Sequence, residues 1–214
     1  MICNVISTGS QGNAVVLNDI ILIDCGIPYK QLQPYVRALR LVLLTHIHGD
    51  HFNPATVRRL HQERPTLRFV CCQWMLAPLF GAGIPAHLID VVPLGAGLVY
   101  ENSAVAVWSF PLFHDVDNCG YKIHFNGKMA MYATDTGSME GVVAKDFDLY
   151  MIEANHTEQE IAERIQRKLE SGEFVYEYRA AAGHLSKEKA DAWLAENATP
   201  GKSKVVYLHG HKEV

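Results

Sequence analysis

No stretch of this chain approaches the ~18–20 consecutive apolar residues of a membrane-spanning helix, so no part of it is expected to cross a bilayer. The opening Met1-Ile2-Cys3-Asn4-Val5-Ile6 has neither a basic segment nor a long apolar run and makes a poor secretory signal. Cysteine is sparse: Cys3, Cys25, Cys71, Cys72 and Cys119 are five, an odd number without Cys-x-x-Cys spacing. That argues against a disulfide framework and for buried thiols in a reducing compartment, so a cytoplasmic location is expected. Cys25 and Cys119 fall near candidate site loops, where packing is the expected role. There is no excess of basic charge either. A formal net charge of −4 removes any global electrostatic case for a nucleic-acid partner, while leaving room for a local basic groove. Repeats, low-complexity tracts and linkers are also missing. The 214 residues, 49% hydrophobic, are therefore expected to form a single domain, 1–214, around one sizeable core.

What is present is a dense succession of strand and helix signals. Strands are expected at 1–6, 13–18 and 20–24, with turn residues between them. Leu32, Tyr35, Val36 and Leu39 share one helical face, which predicts a helix over 29–39. Asn53-Pro54 supplies an N-cap and first-turn proline for a helix over 54–63. Further strands are expected at 67–71, 88–92, 99–100 and 104–110. Asn126-Gly127 between 121–125 and 128–133 is a strong hairpin signal, and 148–153 reads as a buried strand. Thr157-x-x-Glu160 is a capping box for a helix over about 158–170. Ser186 caps a helix over 187–196 with Ala190, Trp193 and Leu194 inward, and 204–208 is the last strand. The plan is α/β: two mixed sheets packed face to face with helices outside, an αββα sandwich of four layers.

The chemistry concentrates in His46-Ile47-His48-Gly49-Asp50-His51, four metal-ligand side chains in six residues. They follow the apolar run 41–45, a buried strand able to hold imidazoles and a carboxylate rigidly at its end. The same pattern recurs. The strand 105–110 leads to His114, 129–134 to Asp135, 149–152 to Glu153 and 205–208 to His209. Strand ends converge in α/β proteins, so these residues are expected at one rim. His46, His48, Asp50, His51, His114, Asp135 and His209 make seven ligands, enough for two divalent ions with one carboxylate between them. Two adjacent cations acidify a water and stabilise charge on a substrate oxygen, which predicts hydrolysis of an ester or phosphate ester. Zn²⁺ suits the imidazoles, and Mn²⁺ is the alternative ion.

The His-x-His-x-Asp-His run, with His114, Asp135 and His209, resembles the metallo-β-lactamase fold superfamily, and Asp24 in Ile21-Leu22-Ile23-Asp24-Cys25-Gly26 matches its early structural aspartate. The resemblance spans Ser7 to His209. Ser10-Gln11-Gly12-Asn13-Ala14, His114-Asp115, Glu153-Ala154-Asn155-His156 and Gly183-His184-Leu185-Ser186 are similar to the WalJ-like (YycJ) subgroup, related to the tRNA 3′-processing and β-CASP enzymes. By that resemblance His46, His48 and His114 would hold one metal, Asp50, His51 and His209 the other, and Asp135 would bridge them. Glu153 and His184 match a Glu and a His outside the metal shell that orient or protonate a leaving oxygen. Glu153 reads equally as the partner of a metal-bound His. His184 is placed near a helix N-terminus, where a phosphate contact is expected.

The expected activity is therefore dinuclear metal-dependent phosphodiester cleavage in DNA or RNA, with a metal-bound hydroxide as nucleophile and Asp50, Glu153 and His184 as the catalytic side chains. The alternative is hydrolysis of a small cyclic phosphodiester, thioester or lactone on the same fold, which the acidic net charge favours. His211 competes with His209 as last ligand; position directly after the strand favours His209. His61, His87, His124 and His156 have blander readings as surface or ordinary hydrogen-bonded residues. No feature of the sequence chooses between DNA and RNA or sets the oligomeric state.

Overall fold

Short β-branched runs separated by turn residues build the first half of the chain. The computed structural model describes residues 1–101 and 104–210 and divides into two units, Met1–Ser109 and Phe110–Val214. The first contains β1 (Cys3–Ser7), β2 (Ala14–Leu17), β3 (Ile21–Ile23), α1 (Tyr29–Leu32), β4 (Leu41–Leu44), α2 (Pro54–Glu63), β5 (Arg68–Cys71), α3 (Leu76–Gly81), β6 (Ile89–Val91) and β7 (Gly97–Tyr100). β8 (Val105–Leu112) begins in this unit and ends in the second. The second unit continues with β9 (Asn118–Phe125), β10 (Lys128–Ala133), β11 (Leu149–Glu153), α4 (Glu158–Ser171), α5 (Glu177–Gly183), α6 (Lys187–Asn197) and β12 (Lys204–Leu208).

The strands form two six-stranded sheets of order β1-β2-β3-β4-β5-β6 and β12-β11-β10-β9-β8-β7. Both are mixed. In the first sheet β1–β2 and β2–β3 are antiparallel and β3–β4, β4–β5 and β5–β6 parallel. In the second, β9–β10 and β7–β8 are antiparallel and β10–β11 and β11–β12 parallel. β2, β3 and β4 are buried along their whole length, as strands covered on both faces must be, and their near-continuous Val, Leu and Ile content follows from that.

Local chemistry explains most boundaries. The Asn53 side chain accepts from the Ala55 and Thr56 amides and Pro54 opens α2, so α2 begins where expected. Asn126 and Gly127 take φ of 49° and 75°, the left-handed pair of a two-residue hairpin turn. Thr157 and Glu160 complete their reciprocal cap at the start of α4, and Ser186 accepts from the Lys189 amide at the start of α6. The helix expected over 29–39 is corrected to the four residues of α1. Pro34 has no N–H to continue the ladder, so the segment proceeds in turns, although Val36 and Leu39 still enter the core. α3 and α5 carry no recognisable start signal, and neither has a side-chain cap.

In the first unit, α1, α2 and α3 pack Leu32, Val57, Leu60 and Leu79 against one face of the sheet. In the second, Ala190 and Leu194 of α6 cover Met131, Tyr150 and Ile152. Because β10, β11 and β12 are parallel, their C-terminal ends point the same way, which delivers Asp135, Glu153 and His209 to one edge. β3 and β4 do the same for Asp24 and His46.

Candidate functional site

The predicted ligands fall into two groups, one in each unit. In the first unit the chain after β4 folds back on itself, with the His51 and Phe52 amides donating to the His48 carbonyl at 2.9 and 2.8 Å. This brings the His46 ring centroid to 4.9 Å from that of His48 and 4.1 Å from that of His51. His51 Nε2 lies 3.6 Å from Asp50 Oδ2. The loop after β3 is stitched to this turn, Cys25 donating to His51 O and accepting from Asn53 N, both at 2.8 Å.

Asp24, fully buried, sets the orientation of two of these rings. Its carboxylate accepts from His51 Nδ1 at 2.7 Å and from the Thr45 amide and hydroxyl at 3.0 and 2.9 Å. Thr45 has one hydroxyl proton and gives it to Asp24, so at 2.9 Å from His46 Nδ1 its oxygen accepts from that ring. Both imidazoles thus carry hydrogen on Nδ1 and present Nε2 as the lone-pair nitrogen. That is the arrangement in which a carboxylate fixes a metal-binding histidine. Asn13, buried beside them, places its amide nitrogen 2.7 Å from His51 Nε2 and 3.3 Å from Asp50 Oδ2. Cys25, next to Asp24, is buried, and burial followed by the Asp24 charge pushes its thiol far above the ordinary range. It packs as an inert thiol, as expected.

In the second unit Asp135 is the centre. Its Oδ1 lies 3.5 Å from His209 Nε2, 3.8 Å from His184 Nδ1 and 3.9 Å from His114 Nε2. Asn118 holds the turn, donating to the Thr134 and Asp135 carbonyls at 3.0 and 2.7 Å. Gly137 N to Phe113 O at 2.9 Å ties the chain before His114 to the same turn. Donor atoms of Asp135, Glu153, His184 and His209 all lie within 4.8 Å of one another.

Glu153 is fully buried and its two oxygens divide four donors. Oε1 accepts from His184 Nδ1 at 2.7 Å and His209 Nδ1 at 2.9 Å; Oε2 accepts from the Thr136 and Leu185 amides at 2.9 and 3.1 Å. Burial pushes this carboxyl up, but the two imidazole hydrogen bonds outweigh it and hold it below the usual range. For His184 burial pulls the pKa down, and the Glu153 hydrogen bond and charge more than restore it, so the ring sits above its ordinary value. His184 is the C-cap of α5, two residues ahead of the Ser186 cap of α6. Its side chain is one-fifth exposed (20%).

Three residues that close this architecture are non-glycines in the left-handed region: Asp24 and Asp135 at φ 57° and His209 at 58°. Asp and His are both among the non-glycine residues that enter this conformation more often than most. The Asn155 amide donates to the His209 carbonyl at 3.0 Å and steadies that backbone. His211 lies outside the described residues. His156 is buried and bonded to Asn155 Oδ1 at 3.2 Å, and the ring nitrogen of His124 accepts from Gly127 in its own hairpin.

Sequence reasoning gave no role to Asn13, Thr45, Asn118 or Asn155. A buried asparagine beside a ligand motif is the signal that was available. The donor set, imidazole Nε2 atoms and carboxylates held by buried partners, fits divalent transition metals.

Residues 20–209 match the family model described as beta-lactamase superfamily domain. Among solved structures, YhfI from Bacillus subtilis, a metallo-beta-lactamase fold protein, is similar at 17% identity over 99% of this chain and 87% of that one, with a TM-score of 0.73. The short form of human tRNase Z aligns at 17% identity over 98% and 92%, with a TM-score of 0.69. Zn²⁺-bound PqqB from Methylobacterium extorquens gives 15% identity over 97% and 88%, with a TM-score of 0.68. At such identities the likeness carries the fold alone. Among curated proteins, no sequence matches the chain.

Proposed function

Since the chain belongs to the beta-lactamase superfamily, its two mixed sheets and helices being that fold, we propose that it is a hydrolase using two divalent cations to cleave nucleic-acid phosphodiester bonds. The observation that carries the reading is Glu153, a buried carboxylate that fixes two imidazoles beside Asp135. The name of the similar human structure, tRNase Z, supports an RNA-like substrate. The Zn²⁺ of PqqB supports zinc as the ion, with Mn²⁺ as the alternative.

The proposed ligand set follows the family resemblance: His46, His48 and His114 for one ion, Asp50, His51 and His209 for the other, and Asp135 shared. When bound, two such cations acidify a water and stabilise negative charge developing on phosphate oxygens. The chain's own side chains prepare that step. Thr45 and Asp24 keep the Nε2 atoms of His46 and His51 available, and Glu153 does so for His209. Asp50, with a quarter of its side chain exposed (25%), orients the attacking water. Glu153 holds Nδ1 of His184, leaving Nε2 to donate a proton to the departing oxygen. With four N–H donors on its two oxygens, Glu153 has no lone-pair geometry to spare for a substrate and acts by positioning His184 and His209.

The test is metal content by mass spectrometry together with hydrolysis of bis-p-nitrophenyl phosphate and labelled single- and double-stranded DNA and RNA, for the wild type and Asp50→Ala. Metal-dependent nucleic-acid cleavage lost in the variant is the expected result. Bound metal with no cleavage of any phosphodiester would overturn it and leave the thioester or lactone reading, which the net charge of −4 favours. Raising salt should weaken binding of a nucleic acid steeply and of a neutral ester hardly at all.

A further inference from the structure

A cavity of about 470 Å³ opens in the second unit between residues 137–145 and one side of α6. Its walls begin next to the candidate site: Gly137 lies two residues beyond Asp135, and Leu185 directly follows His184. Met139, Val142 and the Trp193 ring supply apolar surface, and Lys145 and Lys189 are exposed at its margin. Trp193 is pinned in place by its indole N–H, which donates to the Val142 carbonyl at 2.9 Å. The ring also packs edge-on to Tyr150, 5.9 Å between centroids. Among the described residues neither lysine ammonium makes an ion pair. Glu140 and Glu196 also line the cavity, offering acceptors of the kind that base amino groups and ribose hydroxyls seek.

We propose that this cavity holds a nucleotide unit of a single-stranded nucleic acid, its base against Trp193 and its phosphate on Lys145 and Lys189. An immobilised aromatic ring beside unpaired cations is how single strands are gripped without sequence preference. The volume lies in the range that takes small-molecule ligands. The proposal deepens the phosphodiesterase reading by giving its substrate a neighbouring subsite, but its test reads binding and needs no turnover.

Nucleoside monophosphates and a short oligonucleotide are titrated into chelator-treated protein while tryptophan fluorescence is followed. The expected result is saturable quenching that disappears in Trp193→Phe. In Lys189→Glu and Lys145→Glu the dissociation constant should rise about tenfold each, and the salt slope for the oligonucleotide should fall by about one per lysine. Lys189→Glu places an acid in the first turn of α6, where it favours the helix, so loss of binding there is not loss of fold. Quenching that survives in Trp193→Phe, or dissociation constants unmoved by both charge reversals, would overturn the proposal. Binding that follows the lysines in a protein that hydrolyses no phosphodiester would uphold the cavity and remove the phosphodiesterase reading. Hydrolysis with no nucleotide binding here would do the reverse.

Discussion

Replacing Glu153 with glutamine tests the second group of donors directly. The carboxylate is fully buried and accepts from two imidazole nitrogens on one oxygen and two backbone amides on the other. Glutamine keeps the shape but turns one acceptor into an NH₂, so two N–H donors lose their partner whichever way the amide sits. Hydrogen bonds to charged groups contribute about 1.5–3 kcal/mol each, so the loss is roughly 3–6 kcal/mol. That is a large share of the ~5–15 kcal/mol that keeps a typical protein folded. At about 2–4 °C per kcal/mol for a chain of this size, the melting temperature should drop by some 6–24 °C. The measurement is thermal unfolding in chelator, which removes any metal contribution, followed by Zn²⁺ titration at a temperature where both proteins are folded. Affinity should also fall, by about 10–100-fold, because the imidazoles lose their orienting partner. A variant within about 1 kcal/mol of the wild type and with undiminished Zn²⁺ affinity would refute the four-donor account.

Asp24→Asn, which retains a residue tolerant of φ 57°, should lower divalent-metal affinity by about 10–100-fold in calorimetric titration, since a neutral amide holds His51 and Thr45 less firmly. Gly26→Ala should abolish the native fold, measured as loss of cooperative unfolding: a Cβ there would lie 1.8 Å from the Asp50 carbonyl oxygen, a backbone atom. On β6, burial raises the Asp90 carboxyl but hydrogen bonds from Arg68 and Tyr100 override it and hold it low. Its folded pKa lies below the unfolded ~3.9, so its stabilisation is complete above that pH and lost as pH falls through the folded value. Urea unfolding of wild type and Asp90→Asn should therefore differ by a constant amount above about pH 5 and converge below about pH 4. A gap that stays constant down to pH 3 would count against it.

The signals that could be read from sequence are those whose partners lie close along the chain. Asn53-Pro54, Asn126-Gly127 and Thr157–Glu160 each place cap or turn chemistry within a few residues, and each behaves as expected. The candidate ligands of the first unit sit in one run, and those of the second follow strands, so residue type plus strand periodicity is enough to propose them. The contacts that arm them are long-range. Asn13 reaches Asp50 across 37 positions, Asn118 reaches Asp135 across 17, and Asn155 reaches His209 across 54. A buried amide carries no local mark of so distant a partner. Glu153 shows the same limit: its place at the end of β11 is legible, but its division between two imidazoles and two amides follows from three parallel strands meeting α5 and α6. The shortening of α1 at Pro34 is the opposite case, a local signal overlooked because the apolar periodicity runs past it.

That division of Glu153 has a mechanical consequence. One oxygen grips His184 and His209, while the other grips Thr136 and Leu185, the residues at the roots of the two cavity walls. A displacement of either wall would therefore act on the one carboxylate that holds both rings. On the proposed reading, thermodynamic linkage makes the effect reciprocal: whatever factor a nucleotide in the cavity would impose on an ion at His209, that ion would impose on the nucleotide.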